Sequence, residues 1–181
     1  MTDDWRLIRL QLLARFRVAL GWVFGPLVFL LAEPTDASLV AGLAIALVGE
    51  SLRFWAAGHL NKSREVTASG PYRWFAHPLY VGSSIMGLGV GVASHSLIAI
   101  GIVALYLAVT LTAAIRHEEA HLRRLFGDRY DRFKRGDLQD AGAQRRFSVA
   151  QAFANHEPRA VVGLAIVWLL LFFKATYNGM F

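Results

Sequence analysis

The sequence predicts an all-α fold, a polytopic bundle of about five membrane-spanning helices with its amino terminus and most of its polar residues on the cytoplasmic side. Three observations predict it. Of the 181 residues 55% are hydrophobic and the mean hydropathy is +0.41, an apolar excess unusual in a soluble domain. The apolar residues are gathered in runs close to the ~20 residues that a helix needs to cross a bilayer. The basic residues fall between those runs, concentrated in alternate connections.

The first run, 16–32, follows Arg6, Arg9, Arg15 and Arg17, so it superficially matches a secretory signal. Its apolar part is long, however, and a second run, 38–57, begins within a few residues, so it reads as a retained span. Upstream, residues 4–15 form either an interfacial helix presenting Trp5, Ile8 and Leu12 to lipid or a frayed charged tail. The stretch 79–115 is too long for one span and is broken at Ser94-His95-Ser96, which predicts two helices, 79–93 and 96–115, joined by a tight turn. The last span is 160–177. Between the last two spans, residues 135–157 contain Gly136 and Gly142 and read as an irregular tether ending at Pro158. No internal repeat divides the chain, so residues 1–181 form a single integral-membrane domain.

Lys and Arg fix the expected orientation, because short connections rich in them stay cytoplasmic. The amino-terminal segment has four arginines, the loop before Leu79 has Lys62, Arg64 and Arg73, and the stretch 116–159 has ten basic residues. The connection 33–36 and the turn at His95 have none, and Lys174 alone dissents. The net charge of +6 is therefore topological, and no nucleic-acid partner is expected. With no cysteine, disulfides, zinc thiolates and thiol nucleophiles are excluded. Within the second span Glu50 and Arg53 are three apart and can pair along one helix face. Gly21 with Gly25, and Gly87 with Gly91, have the spacing of close helix contacts.

Two cytoplasmic segments are more specific than connectors need to be. The first, EVTASGPYRWFAHPLYVG over 65–82, has a turn at Gly70-Pro71 and a helix start at His77-Pro78. Tyr72, Trp74, Phe75, His77 and Tyr80 offer stacking surfaces and donors to a planar ligand, although a well-made loop explains them as well. The second, RHEEAHLRRLFGDRYDRF over 116–133, continues the fourth span as an amphipathic helix that Gly127 ends. Glu118, one turn beyond the span, can turn a carboxylate toward the first segment and select a cationic group. His117 to His121 also spell HEEAH, the H-E-x-x-H pattern of zinc peptidases. That reading needs a third ligand, and the flanking Arg116, Arg123 and Arg124 give the motif a charged setting instead of an apolar one, so no metal is assigned.

Taken together, GPYRWFAHPLYVG from Gly70 and EEAHLRRLFGDRYDRF from Glu118 resemble the isoprenylcysteine carboxyl methyltransferases and the related phospholipid methyltransferases. The resemblance covers residues 51–133. It implies a multi-pass membrane enzyme that uses S-adenosyl-L-methionine in a cytoplasmic pocket, while a lipophilic or lipidated acceptor enters laterally between helices. By that resemblance Arg64, Glu65, Val66 and Thr67 line the cofactor through backbone, Tyr72 contacts it, and His77, Pro78, Leu79 and Tyr80 form its wall. Glu118 matches the cofactor-binding glutamate.

Departures fall on the acceptor side. The family's Arg-His-Pro is here Ala76-His77-Pro78, and the arginine expected before the glutamate aligns with Ala114, leaving Arg116 as a shifted acceptor contact. An O-methyltransferase acting on an isoprenylcysteine carboxylate and a phospholipid N-methyltransferase both stay open. A sterol-reductase-like enzyme, which would need a longer chain, and a non-catalytic scaffold are the remaining alternatives.

Overall fold

The computed structural model describes residues 20–62, 64–137 and 146–179. Among these residues all regular structure is helical: α1 (Leu20–Leu31), α2 (Asp36–His59), a 3-10 turn at Gly70–Arg73, α3 (Pro78–Ala93), α4 (Leu97–Phe126), α5 (Asp128–Lys134), α6 (Val149–Ala154) and α7 (Pro158–Asn178). The expected interfacial helix over 4–15 and the first four residues of the expected first span lie outside the described residues. Three helices, α2, α4 and α7, are long and apolar enough to cross a membrane, and α1 and α3 are apolar but shorter.

Local chemistry sets the ends of these helices. Thr35 and Ser38 form a reciprocal capping box, Ser38 N donating to Thr35 Oγ1 (3.2 Å) and Thr35 N to Ser38 Oγ (2.9 Å), so α2 begins earlier than its apolar run. Ser96 caps α4 by accepting from Ala99 N, and His95 at φ +50° makes the turn between α3 and α4. Pro78 opens α3, where its missing N–H costs nothing. The fourth span and its amphipathic continuation are one helix of 30 residues. At a rise of ~1.5 Å per residue it is about 45 Å long, so it outreaches a hydrocarbon core of ~30 Å and carries Glu118 to Phe126 beyond it. It stops at Gly127, whose φ of +50° and ψ of −132° suit only glycine.

The tightest packing is a glycine seam between α2 and α3. A Cβ on Gly42 would come within 2.5 Å of the Gly89 carbonyl oxygen, and one on Gly49 within 2.6 Å of that of Gly82. The two backbones touch because nothing stands between them. Of the glycines singled out by spacing, Gly87 and Gly91 do pack against α4, at Leu107 and Ile100, and Gly21 approaches Tyr106. Gly25 has nothing within 4 Å.

At one end of the bundle the Glu33 N–H donates to Ser94 O (2.8 Å) and Ser38 Oγ to Ala93 O (3.1 Å). Lys174 reaches the same end from α7, donating to the carbonyls of Phe29 (2.5 Å) and Leu30 (2.9 Å) at the close of α1. This gives the dissenting cation a local task, capping carbonyls that have no partner within their own helix. Ala32, Leu39, Ala93 and Leu171 form a small core there. Large apolar side chains elsewhere face outward, among them Ile166, Leu169 and Phe173 of α7.

At the other end, residues 146–157, expected to be an irregular tether, form an ordered strap across the end of α2. Ser148 N donates to Gly58 O (3.2 Å), Gln151 Nε2 to Leu60 O (3.0 Å), and Asn155 Nδ2 to Ala57 O (2.8 Å) and Leu60 O (2.9 Å). The signal in the sequence is polar: Ser148, Gln151 and Asn155 supply the donors that the last turn of α2 lacks.

Candidate functional site

The strap, the loop between α2 and α3, and the extension of α4 meet at this end. His59, at the close of α2, places its ring over Gly70, where φ is +58° and a Cβ would come within 2.7 Å of the imidazole. The chain then turns through Pro71 and Tyr72, both buried, and Trp74 packs against Trp55 with the rings tilted by 58° and their centroids 5.6 Å apart. Burial is the main cause that pushes the Tyr72 hydroxyl far above its ordinary value; Glu118, Tyr80 and Glu157 add to it and Arg53 partly offsets it. Tyr72 is therefore a neutral phenol within electrostatic reach of two charged clusters.

The first cluster surrounds His77. Its Nδ1 lies 3.8 Å from Glu118 Oε2, its Nε2 lies 3.4 Å from Glu119 Oε1, and its ring centroid is 5.8 Å from that of Tyr80. Lys134 of α5 donates to Glu119 at 2.5 Å, and Arg123 sits 3.6 Å from the same carboxylate while pairing with Asp131 at 3.0 Å. Glu119 lies beyond the apolar part of α4. Burial would raise its carboxyl, but the hydrogen bond and charge of Lys134, joined by His77, hold it below the ordinary carboxylate range. Glu119 is thus satisfied by its neighbours, whereas Glu118, with 38% of its side chain exposed, stays open to a ligand. Tyr130 lies beneath this cluster, 1% exposed, with no hydrogen-bond partner for its hydroxyl. Burial, then Glu119 and Glu118, push that phenol up to about 12.

The second cluster is Arg53 with Glu157 and Glu50. Arg53 Nε is 2.7 Å from Glu157 Oε1 and Nη2 is 3.2 Å from Oε2, while Glu50 Oε2 is 3.6 Å from Nε. Arg53 Nη1 also donates to Leu79 O (3.4 Å) and to Ser83 Oγ at the start of α3. The expected pair along one helix face is present, but the closer partner of Arg53 comes from the start of α7.

Two grooves flank the His77 cluster. One, of about 730 Å³, runs between α3 and α4 from Trp74, His77 and Tyr80 to Gly91 and Ile100, and no Asp, Glu, Lys or Arg is among its walls. A smaller one, of about 250 Å³, lies between the loop and α5, with Tyr72, Trp74, Phe75, Phe133 and Lys134 among its walls.

Among the residues predicted from sequence, Tyr72, His77, Tyr80 and Glu118 are brought together. Pro78 is buried at the start of α3, and Leu79 enters through the carbonyl that Arg53 and Ser83 share. Val66 and Thr67 are buried, Thr67 Oγ1 accepting from Asn61 N (3.3 Å); Glu65 accepts from Asn61 Nδ2 (3.2 Å), and Arg64 is exposed. These four residues line neither groove, and neither does the exposed Arg116. Among the described residues no group of three or more His, Asp or Glu side chains is placed to hold a metal ion. Sequence reasoning missed Glu119 as the partner of His77, and missed Glu157, because contacts 42 and 104 residues apart leave no local pattern.

The phospholipid methyltransferase family model matches residues 37–129, from the start of α2 to α5. The chain belongs to that family. The first motif segment, the α3–α4 hairpin and the second segment as far as Arg129 fall inside the match, while the strap and α7 lie outside it. Within curated proteins, a phospholipid methyltransferase family chain of this kind is similar to a nickel-cobalt-cadmium resistance protein of Alcaligenes xylosoxydans xylosoxydans, 37% identical over 87 residues, and to a cobalt-zinc-cadmium resistance protein of Cupriavidus metallidurans, 36% identical over 87. Each match covers 47% of this chain. It is also similar to the protein-S-isoprenylcysteine O-methyltransferase of Schizosaccharomyces pombe, 29% identical over 92 residues and 51% of this chain. The matched part spans 39% of each of these relatives. No solved structure matches. Family membership and the three long apolar helices together make the chain an integral membrane protein.

Proposed function

We propose that the chain is an S-adenosyl-L-methionine-dependent transferase that methylates a lipophilic acceptor lying in the groove between α3 and α4. The observation that carries this reading is the course of that groove: an apolar channel that ends at His77 and Tyr80, beside Glu118. Its α4 wall, from Ile100 to Ile115, is about 22 Å long at ~1.5 Å per residue, the scale of a long lipid chain.

The residues present fit the cofactor. The open carboxylate of Glu118 suits the methionine ammonium group, and the orphaned hydroxyl of Tyr130 sits buried within reach of the same charge. Tyr72, His77, Pro78, Leu79 and Tyr80 would wall the site and Arg64 to Thr67 would edge it; Arg116, which lines neither groove, is not assigned to the acceptor. S-adenosyl-L-methionine supplies an electrophilic methyl group on a sulfonium. The protein's share is to hold the acceptor atom near it, in line and dry. We place this site on the cytoplasmic side of a five-span bundle, a placement supported by the basic residues around it and by the connections without Lys or Arg, 33–36 and the turn at His95, gathered at the opposite end.

A second reading, N-methylation of a phospholipid amine in place of O-methylation of a prenylcysteine carboxylate, is favoured by one observation. No lysine or arginine lines the groove, and Ala76 is among its walls where the family has arginine. A carboxylate acceptor would meet two glutamates and no guanidinium.

Calorimetric titration of the purified chain with S-adenosylhomocysteine tests the cofactor. Micromolar binding that falls about tenfold or more in Glu118→Ala is expected from the loss of a charge-assisted bond. Absent binding, or binding indifferent to that change, defeats the reading. Methyl transfer from labelled cofactor into a lipid extract then identifies the acceptor by mass spectrometry.

A further inference from the structure

His77 stands between two adjacent carboxylates of α4, with Glu119 Oε1 3.4 Å from its Nε2 and Glu118 Oε2 3.8 Å from its Nδ1. An imidazole that faces a carboxylate on each nitrogen is drawn toward the doubly protonated form, the only one that can donate to both. In that form it would engage Glu118, the more open carboxylate of the pair.

A competing cation comes from α5. Gly127, at φ +50°, ends α4, and Lys134 returns across a separation of 15 residues to donate to Glu119 Oε1 at 2.5 Å. In one uninterrupted helix the two residues would stand about 22 Å apart along the axis. Lys134 and His77 thus converge on the same oxygen, and Lys134 makes the closer contact. Arg123 reaches the other oxygen of Glu119 at 3.6 Å but is paired with Asp131 at 3.0 Å. The remaining titratable groups around the cluster are Tyr80 on α3 and the phenols of Tyr72 and Tyr130, which burial keeps neutral. Lys134 lies beyond the family match, which ends at Arg129, and beyond both motif segments.

We propose that Lys134 is a positioning residue of the site: it supplies the positive charge that the two glutamates would otherwise draw onto His77, and so leaves Glu118 free for the cationic group of a ligand. The inference rests on the role given to Glu118 in the proposed function, but the charge on His77 is measured without a ligand.

The test is ¹⁵N-histidine NMR of the full chain in detergent, with His77 identified by the signal that His77→Gln removes. Lys134 is 43% exposed, so its variants are expected to fold. Lys134→Met is expected to move the titration of His77 upward by about one pH unit, a tenfold change in proton affinity, and Lys134→Arg to leave it near its native position. Calorimetric titration with S-adenosylhomocysteine, a probe without net charge, supplies the second readout. Its affinity at pH 7 is expected to fall about threefold in Lys134→Met, to recover at pH 9, and to hold at both in Lys134→Arg. A His77 titration left in place or lowered overturns the proposal. So does an affinity unchanged by Lys134→Met, or one reduced equally at both pH values, as a merely structural loss would reduce it. If the native chain binds no S-adenosylhomocysteine, the proposed function fails, while the His77 titration still decides whether Lys134 sets its charge.

Discussion

Arg53 and Glu157 meet through a two-pronged ion pair, 2.7 Å and 3.2 Å, that joins the second span to the start of the last across 104 residues. Since Arg53 also holds the Leu79 carbonyl and Ser83, one guanidinium ties α2, α3 and α7 into a unit beside Tyr72. Removing one member of a buried pair leaves the other charge uncompensated. Arg53→Met, which leaves Glu157 and Glu50 buried with no cation between them, is expected to cost roughly 3 kcal/mol, read as a lowered midpoint of unfolding in detergent. Glu157→Leu, which leaves Glu50 as the partner of Arg53, should cost distinctly less; equal losses in the two variants would contradict the assignment.

The glycine seam predicts a contrast between two superficially alike residues. Gly49→Val must push α3 away, since even its Cβ meets Gly82 O at 2.6 Å, and overpacking of this kind costs about 1–3 kcal/mol. Gly25→Ala meets nothing within 4 Å and is expected to be neutral or mildly stabilising, through the better helix propensity of alanine. Comparing the unfolding midpoints of the two variants measures the difference.

Glu119 gives the sign of the pH dependence. Its carboxyl is held below the ordinary value of 4.5, so the native state binds fewer protons than the unfolded chain in the acid range. The stability it contributes is complete above that ordinary value and is lost as pH falls through the lowered native one. Thermal unfolding between about pH 3 and 7 should show this acid limb, and Lys134→Met should flatten it. An acid limb identical in the two proteins would show that the Glu119–Lys134 contact contributes nothing.

The proposed orientation can be read chemically, because the chain has no cysteine of its own. In sealed cells a membrane-impermeant maleimide is expected to label Glu33→Cys from outside and to reach Arg124→Cys only after permeabilisation; both positions are exposed. The reverse pattern would invert the bundle.

The helices were legible in the sequence because lipid and helix geometry act over short range. Apolar runs of span length, Pro78 and Gly127 mark the elements to within a few residues, and the Ser94–Ser96 break marks the hairpin. Half of the site was legible for a different reason: Tyr72, His77, Tyr80 and Glu118 sit in two compact motifs. The rest was hidden because its determinants lie far apart in the chain. Glu119 resembles any charged residue on an amphipathic helix until His77 and Lys134 are placed beside it. The strap was read as a tether because its six-residue helix is too short to show periodicity, and its Ser, Gln and Asn make sense only against the carbonyls of α2. The α2–α3 seam was missed since Gly42, Gly49, Gly82 and Gly89 match across two helices, not along one.

The strap also sets an order of assembly. On the ribosome the motif-bearing segments, complete by residue 133, emerge before residues 146–157, whose donors the last turn of α2 needs. Until then the carbonyls of Ala57, Gly58 and Leu60 have only water or headgroups to accept from, and the loop that begins at Leu60 has an unfastened root. A nascent chain that has emerged as far as residue 133 therefore carries every motif residue but not the catch that fixes their starting point, so the arrangement is set only once residues 146–157 have followed.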